Sequence, residues 1–284
     1  MSVLISSTKP VGTDRDFFVQ FNSLRSACLS DFRLVINYSD DKGFEKLCKS
    51  TTAVCIDKVD KGDNSLPIMN SIFKCAAAQA LDSQESIVFI NGDIVVGEGF
   101  SKIERELNSR FGTKWMAICR RREVSLNRQL TDGEIVEVAN DILEPPSGRS
   151  TAIDFFALPS GSYKNISIPE GFTIGRPGWD NWFVARARAK GFKVVEISNV
   201  YAIRHISHPE FHKKGVWDIQ SKYWFKYGIN AFCDLRDASF QMFYNNDNSV
   251  IKIKRNYFGW FRGSYIGRLL IGLLRVVYSF FFRR

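Results

Sequence analysis

The sequence predicts an α/β fold, a mostly parallel sheet flanked by helices, on three observations. Short apolar runs alternate with stretches of helical spacing over most of the chain, and turn residues separate them. The 284 residues are enough for one such domain with an appendage, and no internal repeat or low-complexity linker divides them. Several apolar runs also end in polar or acidic residues, at Thr8, Asp40 and Asp93. In a parallel sheet those residues stand together beyond the carboxyl ends of the strands, where ligands bind.

Taken in order, Ser2–Ser7 reads as a first strand, ended by Lys9-Pro10-Val11-Gly12. Asp14–Leu29 places Phe17, Phe18, Phe21, Leu24, Ala27 and Cys28 at helical spacing, with Thr13 or Asp14 as its cap. Phe32–Tyr38 is a second strand, Lys42–Lys49 a short helix and Thr52–Ile56 a third strand. Pro67–Leu81 is a helix with Ile68, Ile72, Phe73, Ala76 and Ala80 on its apolar face, and Ile87–Ile90 a buried strand. Phe100–Phe111 is helical and Trp115–Cys119 a strand. Arg120–Pro146 is polar and reads as an irregular loop able to close over a ligand. Ala152–Leu158 is a strand, Asp180–Lys190 a helix, Lys193–Ile197 and Val200–His205 strands, and Trp217–Tyr227 a helix.

The apolar fraction of 45% excludes a globally disordered chain. The net charge of +9, much of it in the last third, suggests an anionic partner such as phosphate, nucleic acid or an acidic membrane face. Cys28, Cys48, Cys55, Cys75, Cys119 and Cys233 are scattered without zinc spacing, and read as reduced structural thiols of a cytosolic protein. No basic region followed by an apolar stretch opens the chain, so no signal peptide is expected. The end differs from the rest. From Asn256 to Arg284 aromatic and aliphatic residues dominate, punctuated by Arg262, Arg268, Arg275, Arg283 and Arg284. Its uncharged runs are too short to span a bilayer. They fit a helix lying in the interface of an anionic membrane, or else a terminal helix packed on the domain or on a second copy.

Three clusters carry candidate chemistry. Asn91-Gly92-Asp93 ends a buried strand, where it is good turn chemistry and also offers a hard oxygen ligand for Mg²⁺ or Mn²⁺. Ile174-Gly175-Arg176-Pro177-Gly178-Trp179-Asp180-Asn181-Trp182 sets Asp180 at a helix start, to cap the helix or to act as a general base. Trp179 and Trp182 beside it are the residue type that often forms platforms for sugar rings. Arg204-His205-Ile206-Ser207-His208 ends an apolar strand, on which only one of the two histidines faces Asp93.

Together these motifs resemble nucleotide-sugar-dependent glycosyltransferases of the GT-A fold, in particular a family-2-like bacterial subgroup. The resemblance runs over residues 2–212. It includes Asn22-Ser23-Leu24-Arg25-Ser26, Ser65-Leu66-Pro67-Ile68-Met69-Asn70-Ser71-Ile72-Phe73 and Asp154-Phe155-Phe156 as well as the three clusters. The Gly-Arg-Pro-Gly-Trp-Asp-Asn-Trp run is its most specific part. Asn91 stands where many relatives of the wider fold carry aspartate, which weakens the metal site or leaves it to be helped by His205.

The resemblance implies a GT-A-like (Rossmann-like) catalytic domain over residues 1–215, and the composition beyond it sets off a C-terminal extension over 216–255 and a basic-aromatic amphipathic membrane-associating segment over 256–284. It implies a UDP-linked donor held by Thr8, Arg25, Asp40, Asn70, Asn91 and Asp93. A divalent cation, Mn²⁺ or Mg²⁺, is expected on Asp93 and His205, with His208 the alternative. Asp180 is the expected base of an inverting displacement, and Asp154, Arg176, Trp179 and Trp182 are expected to contact acceptor or sugar. The partners implied are a nucleotide sugar, a surface or lipid-linked glycan and the anionic inner face of the cell membrane, with no nucleic acid. A sugar-nucleotide pyrophosphorylase is the rival of the same fold class, but Ser6–Gly12 lacks its glycine-rich phosphate loop. A nucleic-acid-binding module and a non-catalytic scaffold that binds a donor without turnover are the others.

Overall fold

The computed structural model describes residues 2–7, 11–38, 44–62, 66–141, 153–166, 168–174, 178–207, 235–244, 251–262, 264, 266–267 and 270. Thr8, Asp40, Arg176, His208, the helix expected over Trp217–Tyr227 and residues 271–284 lie outside them. In chain order the elements are β1 (Ser2–Ser7), α1 (Asp14–Leu29), β2 (Leu34–Tyr38), α2 (Phe44–Thr51), β3 (Val54–Ile56), α3 (Met69–Ala78), β4 (Ser86–Asn91), β5 (Ile94–Val96), α4 (Phe100–Phe111) and β6 (Trp115–Arg120). Then come β7 (Arg122–Val124), α5 (Asp132–Asn140), β8 (Ile153–Pro159), α6 (Ser160–Tyr163), α7 (Trp179–Ala189), β9 (Lys193–Glu196), β10 (Ile203–Ile206), β11 (Phe240–Tyr244), β12 (Ile251–Arg255) and α8 (Tyr257–Arg262).

The expected α/β class holds. The main sheet runs β12-β11-β9-β6-β8-β4-β1-β2-β3 among the described residues. Neighbours pair in parallel except where β8 meets β4 and β6, and where β12 meets β11. One apolar layer joins a face of this sheet to α3, α6 and α7, and another joins the opposite face to α1, α2 and α4. Strands covered on both sides read as near-continuous apolar runs, and Ile87, Val88, Phe89 and Ile90 of β4 are all fully buried. α1 begins where it was read, with the Thr13 side chain accepting from the Asp16 backbone N–H.

The stretch from Arg120 departs from the loop expected of it. It forms β7 and then α5, which opens on a capping box between Thr131 and Glu134. β7 joins β10 and β5 in a second sheet of order β5-β10-β7 that sits at the carboxyl end of β4. The cysteine expectation is corrected at one place: Cys48 of α2 and Cys55 of β3 form a disulfide. The thiols of Cys28, Cys75 and Cys119 are free, and burial pushes each of them up, Cys119 to about 12. They are inert structural groups.

β11 and β12, from the stretch expected as an extension, complete the main sheet. β12 leads α8 to the amino-terminal edge of the main strands, since Arg255 pairs with Phe240 at the start of β11. No helix among the described residues is long and apolar enough to cross a membrane.

Candidate active site

The carboxyl edge of the main sheet collects ionisable side chains that would ordinarily avoid burial. β4 ends at Asn91, and the turn to β5 carries Asp93, only 7% exposed. β8 runs against β4 and brings buried Asp154 to the same edge, where the Asn91 amide donates to its carboxylate at 2.6 Å. In the small sheet His205 pairs in register with Ile94 on one side and Glu123 on the other. Its ring lies between two acids. Nδ1 is 2.6 Å from Glu123 Oε2, and Nε2 is 3.8 Å from Asp93 Oδ2. The Arg121 guanidinium closes the group, donating to Glu123 at 2.8 Å and to Asp154 at 2.9 Å.

These contacts set the protonation of the cluster. Burial pushes the Asp154 carboxyl up; Arg121 opposes this and the Asp93 charge adds to it, with a net upward result. Burial also pushes Glu123 up, but hydrogen bonds and charges from His205 and Arg121 outweigh it and hold that carboxyl below its ordinary range.

Asp180 reaches the edge from another direction. Gly178 precedes α7 with a φ of 98°, a left-handed conformation that favours glycine, and turns the chain into the helix. Trp179 then wedges against Phe89 and Phe156, with centroids 5.4 and 5.2 Å away, and Trp182 packs on Phe172 at 5.3 Å. The indoles are 6% and 7% exposed. They are core side chains that fix the start of α7, which corrects the expectation of sugar platforms: a face spent on packing is not offered to a ligand. Asp180 itself is half-buried. Desolvation pushes its carboxyl up to about 7, Asp154 adds to the rise, and backbone N–H groups of Asn181, Asp180 and Gly178 oppose it. Asp154 is thus the electrostatic centre of the set, acting on Asp180 and acted on by Asp93.

Two candidates are engaged elsewhere. Arg25 forms a two-pronged pair with Asp132, at 2.8 and 2.7 Å, that ties α1 to α5. Asn70 accepts from the Tyr163 hydroxyl through its backbone carbonyl at 2.9 Å and through its side-chain oxygen, tying α3 to α6. Both contacts tie elements of the fold together. Conversely, Arg121 and Glu123 belong to the cluster and were not anticipated. Arg121 immediately precedes β7 and Glu123 lies within it, and the run is too short and charged to show a pattern.

The residues present fit a divalent cation. A separation of 3.8 Å between Asp93 and His205 is too long for a hydrogen bond. It sets a carboxylate oxygen and an imidazole nitrogen, both ligand types for Mn²⁺-like ions, side by side without bonding to each other. No three His, Cys, Asp or Glu side chains converge as a metal cluster among the described residues. An ion held by two protein ligands keeps its other positions for phosphate and water, as Mg²⁺ commonly does.

No known family model matches the chain, and neither does any curated protein. Solved structures similar to it include S. aureus TarS 1-349 in complex with UDP-GlcNAc, at 13% identity and a TM-score of 0.48, over 75% of this chain and 60% of that one. S. aureus TarS 1-349 alone is 12% identical with a TM-score of 0.44, over 80% and 72% of the two chains. A further structure of S. aureus TarS has the same identity, 12%, and TM-score, 0.44, over 74% of this chain and 37% of that one. The chain spans about 60% of the length of the first of these.

Proposed function

We propose that the chain is an inverting glycosyltransferase that moves a sugar from a UDP-linked donor to a hydroxyl of a surface or lipid-linked glycan. One observation carries the reading: a carboxyl lifted to about 7, Asp180, stands at the same sheet edge as the Asp93–His205 pair and is linked to it through Asp154. A base of that strength is matched to taking a proton near neutral pH. Asp180 would deprotonate the acceptor hydroxyl as its oxygen attacks the anomeric carbon. A single base with direct displacement gives inversion.

Asp93 and His205 would hold Mn²⁺ or Mg²⁺. When bound, such an ion supplies positive charge against the charge developing on the departing diphosphate. Asn91, fixed by its bond to Asp154, would face the donor from the end of β4. Thr8 and Asp40, outside the described residues, would hold the nucleoside. The test is transfer assayed over a panel of nucleotide sugars. Asp180→Ala is expected to abolish transfer while UDP binding by calorimetry is kept; an unchanged rate removes the base assignment.

The same reading takes the enzyme to the inner face of the cell membrane through its C-terminal residues. Its support is the surface of α8 and β12. Tyr257 and Phe258 are 71% and 69% exposed, with Trp260 and Phe261 beside them, and Lys252, Lys254 and Arg255 are exposed on the edge strand. Aromatic side chains flanked by cations suit an anionic lipid interface. α8 and Asp180 lie at opposite ends of α7, whose eleven residues span about 16 Å. A protein docked this way would act on the outer end of an extended glycan rather than on a sugar at the lipid headgroup.

A further inference from the structure

We infer that Glu123 is the positioning residue of His205. It fixes which ring nitrogen carries the proton and so turns Nε2 toward Asp93 as a metal ligand. The inference rests on the reading of Asp93 and His205 as the cation site. Three observations carry it. The Nδ1 contact of 2.6 Å is a short, charge-assisted bond to a carboxylate, and an ionised carboxylate only accepts. That assigns the ring proton to Nδ1. The contact is also built into the backbone, because β7 and β10 pair in parallel with His205 opposite Glu123. Finally, Glu123 is itself held in place. Arg121 donates to its other oxygen and to Asp154, so the acid that orients His205 and the acid that binds Asn91 share one guanidinium.

The arrangement has a recognisable logic. A histidine that donates one ring N–H to a carboxylate is fixed in tautomer and orientation, and its other nitrogen is made more basic toward a metal. Glu123 is not a ligand here; it acts through His205. Because Arg121 ties Glu123 to Asp154, the ligand pair and the base-side acid keep one relative geometry.

The experiment compares wild type with Glu123→Gln and the conservative Glu123→Asp. Mn²⁺ binding is followed by electron paramagnetic resonance in the presence of UDP, and the His205 tautomer by ¹⁵N-resolved NMR of the metal-free protein. The wild type is expected to show the Nδ1–H form. Glu123→Gln is expected to lose that preference and to bind Mn²⁺ about 10- to 100-fold more weakly. Glu123→Asp should recover part of both. A thermal melt establishes the folded fraction of each variant. If Glu123→Gln keeps the wild-type tautomer and Mn²⁺ affinity per folded molecule, Glu123 is a structural bracket and the inference falls. If the wild type binds no Mn²⁺ while the tautomer responds as expected, the cation reading falls and the positioning of His205 stands.

Discussion

The two ends of α7 break the ordinary rules of burial in opposite senses. At its start, Asp180 joins buried Asp93, Asp154 and His205, with half-buried Arg121 and the more exposed Glu123 closing the group. At its finish, Arg188 donates to the backbone carbonyls of Asp237, Gly259 and Trp260, and so holds α8 with its aromatic rings turned to solvent. Buried charges and exposed rings both cost stability, and a fold keeps them where they serve a ligand or a surface. On the proposed function the first end would serve chemistry and the second docking. α7 is the rigid spacer between them.

Four experiments break or sharpen this contrast. The largest effect is expected at the buried end. Asp180→Asn should lower the transfer rate by about 10²- to 10⁴-fold with little change in donor affinity, because only the proton acceptor is removed. A loss confined to KM would make Asp180 a binding residue.

Arg121→Met should be next. It leaves buried Asp154 without its cation and takes one anchor from the more exposed Glu123, and urea unfolding should show a loss of about 3 kcal/mol. A variant as stable as wild type would mean that the acids are already satisfied by other groups.

At the exposed end, Trp260→Ser with Phe261→Ser should weaken binding to phosphatidylglycerol-rich vesicles by about tenfold while leaving stability nearly unchanged. Unaltered co-sedimentation would move the docking role away from α8.

The smallest effect concerns pH. The Asp180 carboxyl is raised in the folded protein to about 7 from an ordinary 3.8. The folded state therefore holds a proton that the unfolded chain releases. That stabilising contribution is complete below the unfolded value and is lost as pH rises through about 7. Melting temperatures of wild type and Asp180→Asn should diverge from about pH 4 to about pH 7 and run parallel above that, with the variant gaining at the alkaline end. Parallel curves would show that Asp180 titrates like a solvent-exposed acid.

Much of this contrast was legible in the sequence where local chemistry sufficed. Asp93 at a strand end and Asp180 at a helix start are both local signals, as is the Thr13 cap of α1. Glu123 and Arg121 were not legible because β7 is three residues long and its partner β10 lies some eighty residues away. Pairing at that distance leaves no periodic trace in so short and charged a run. The capping box at Thr131 and Glu134 was readable in principle, and it marks a helix inside the stretch taken for a loop. The tryptophans misled because sequence shows residue type and not the direction of a ring; in the fold their faces meet Phe89, Phe156 and Phe172. The disulfide joins cysteines seven residues apart, a spacing with no metal or redox signature, brought together only by the turn from α2 to β3.

The central claim is a single cleft with a cation-holding pair on one side and a base on the other. A crystal structure with UDP and Mn²⁺ tests it most directly. The account predicts the ion between Asp93 and His205, the diphosphate against it, and the Asp180 carboxylate facing the space where the donor sugar would extend. An ion bound at other residues, or a nucleotide whose diphosphate points away from Asp180, would contradict it.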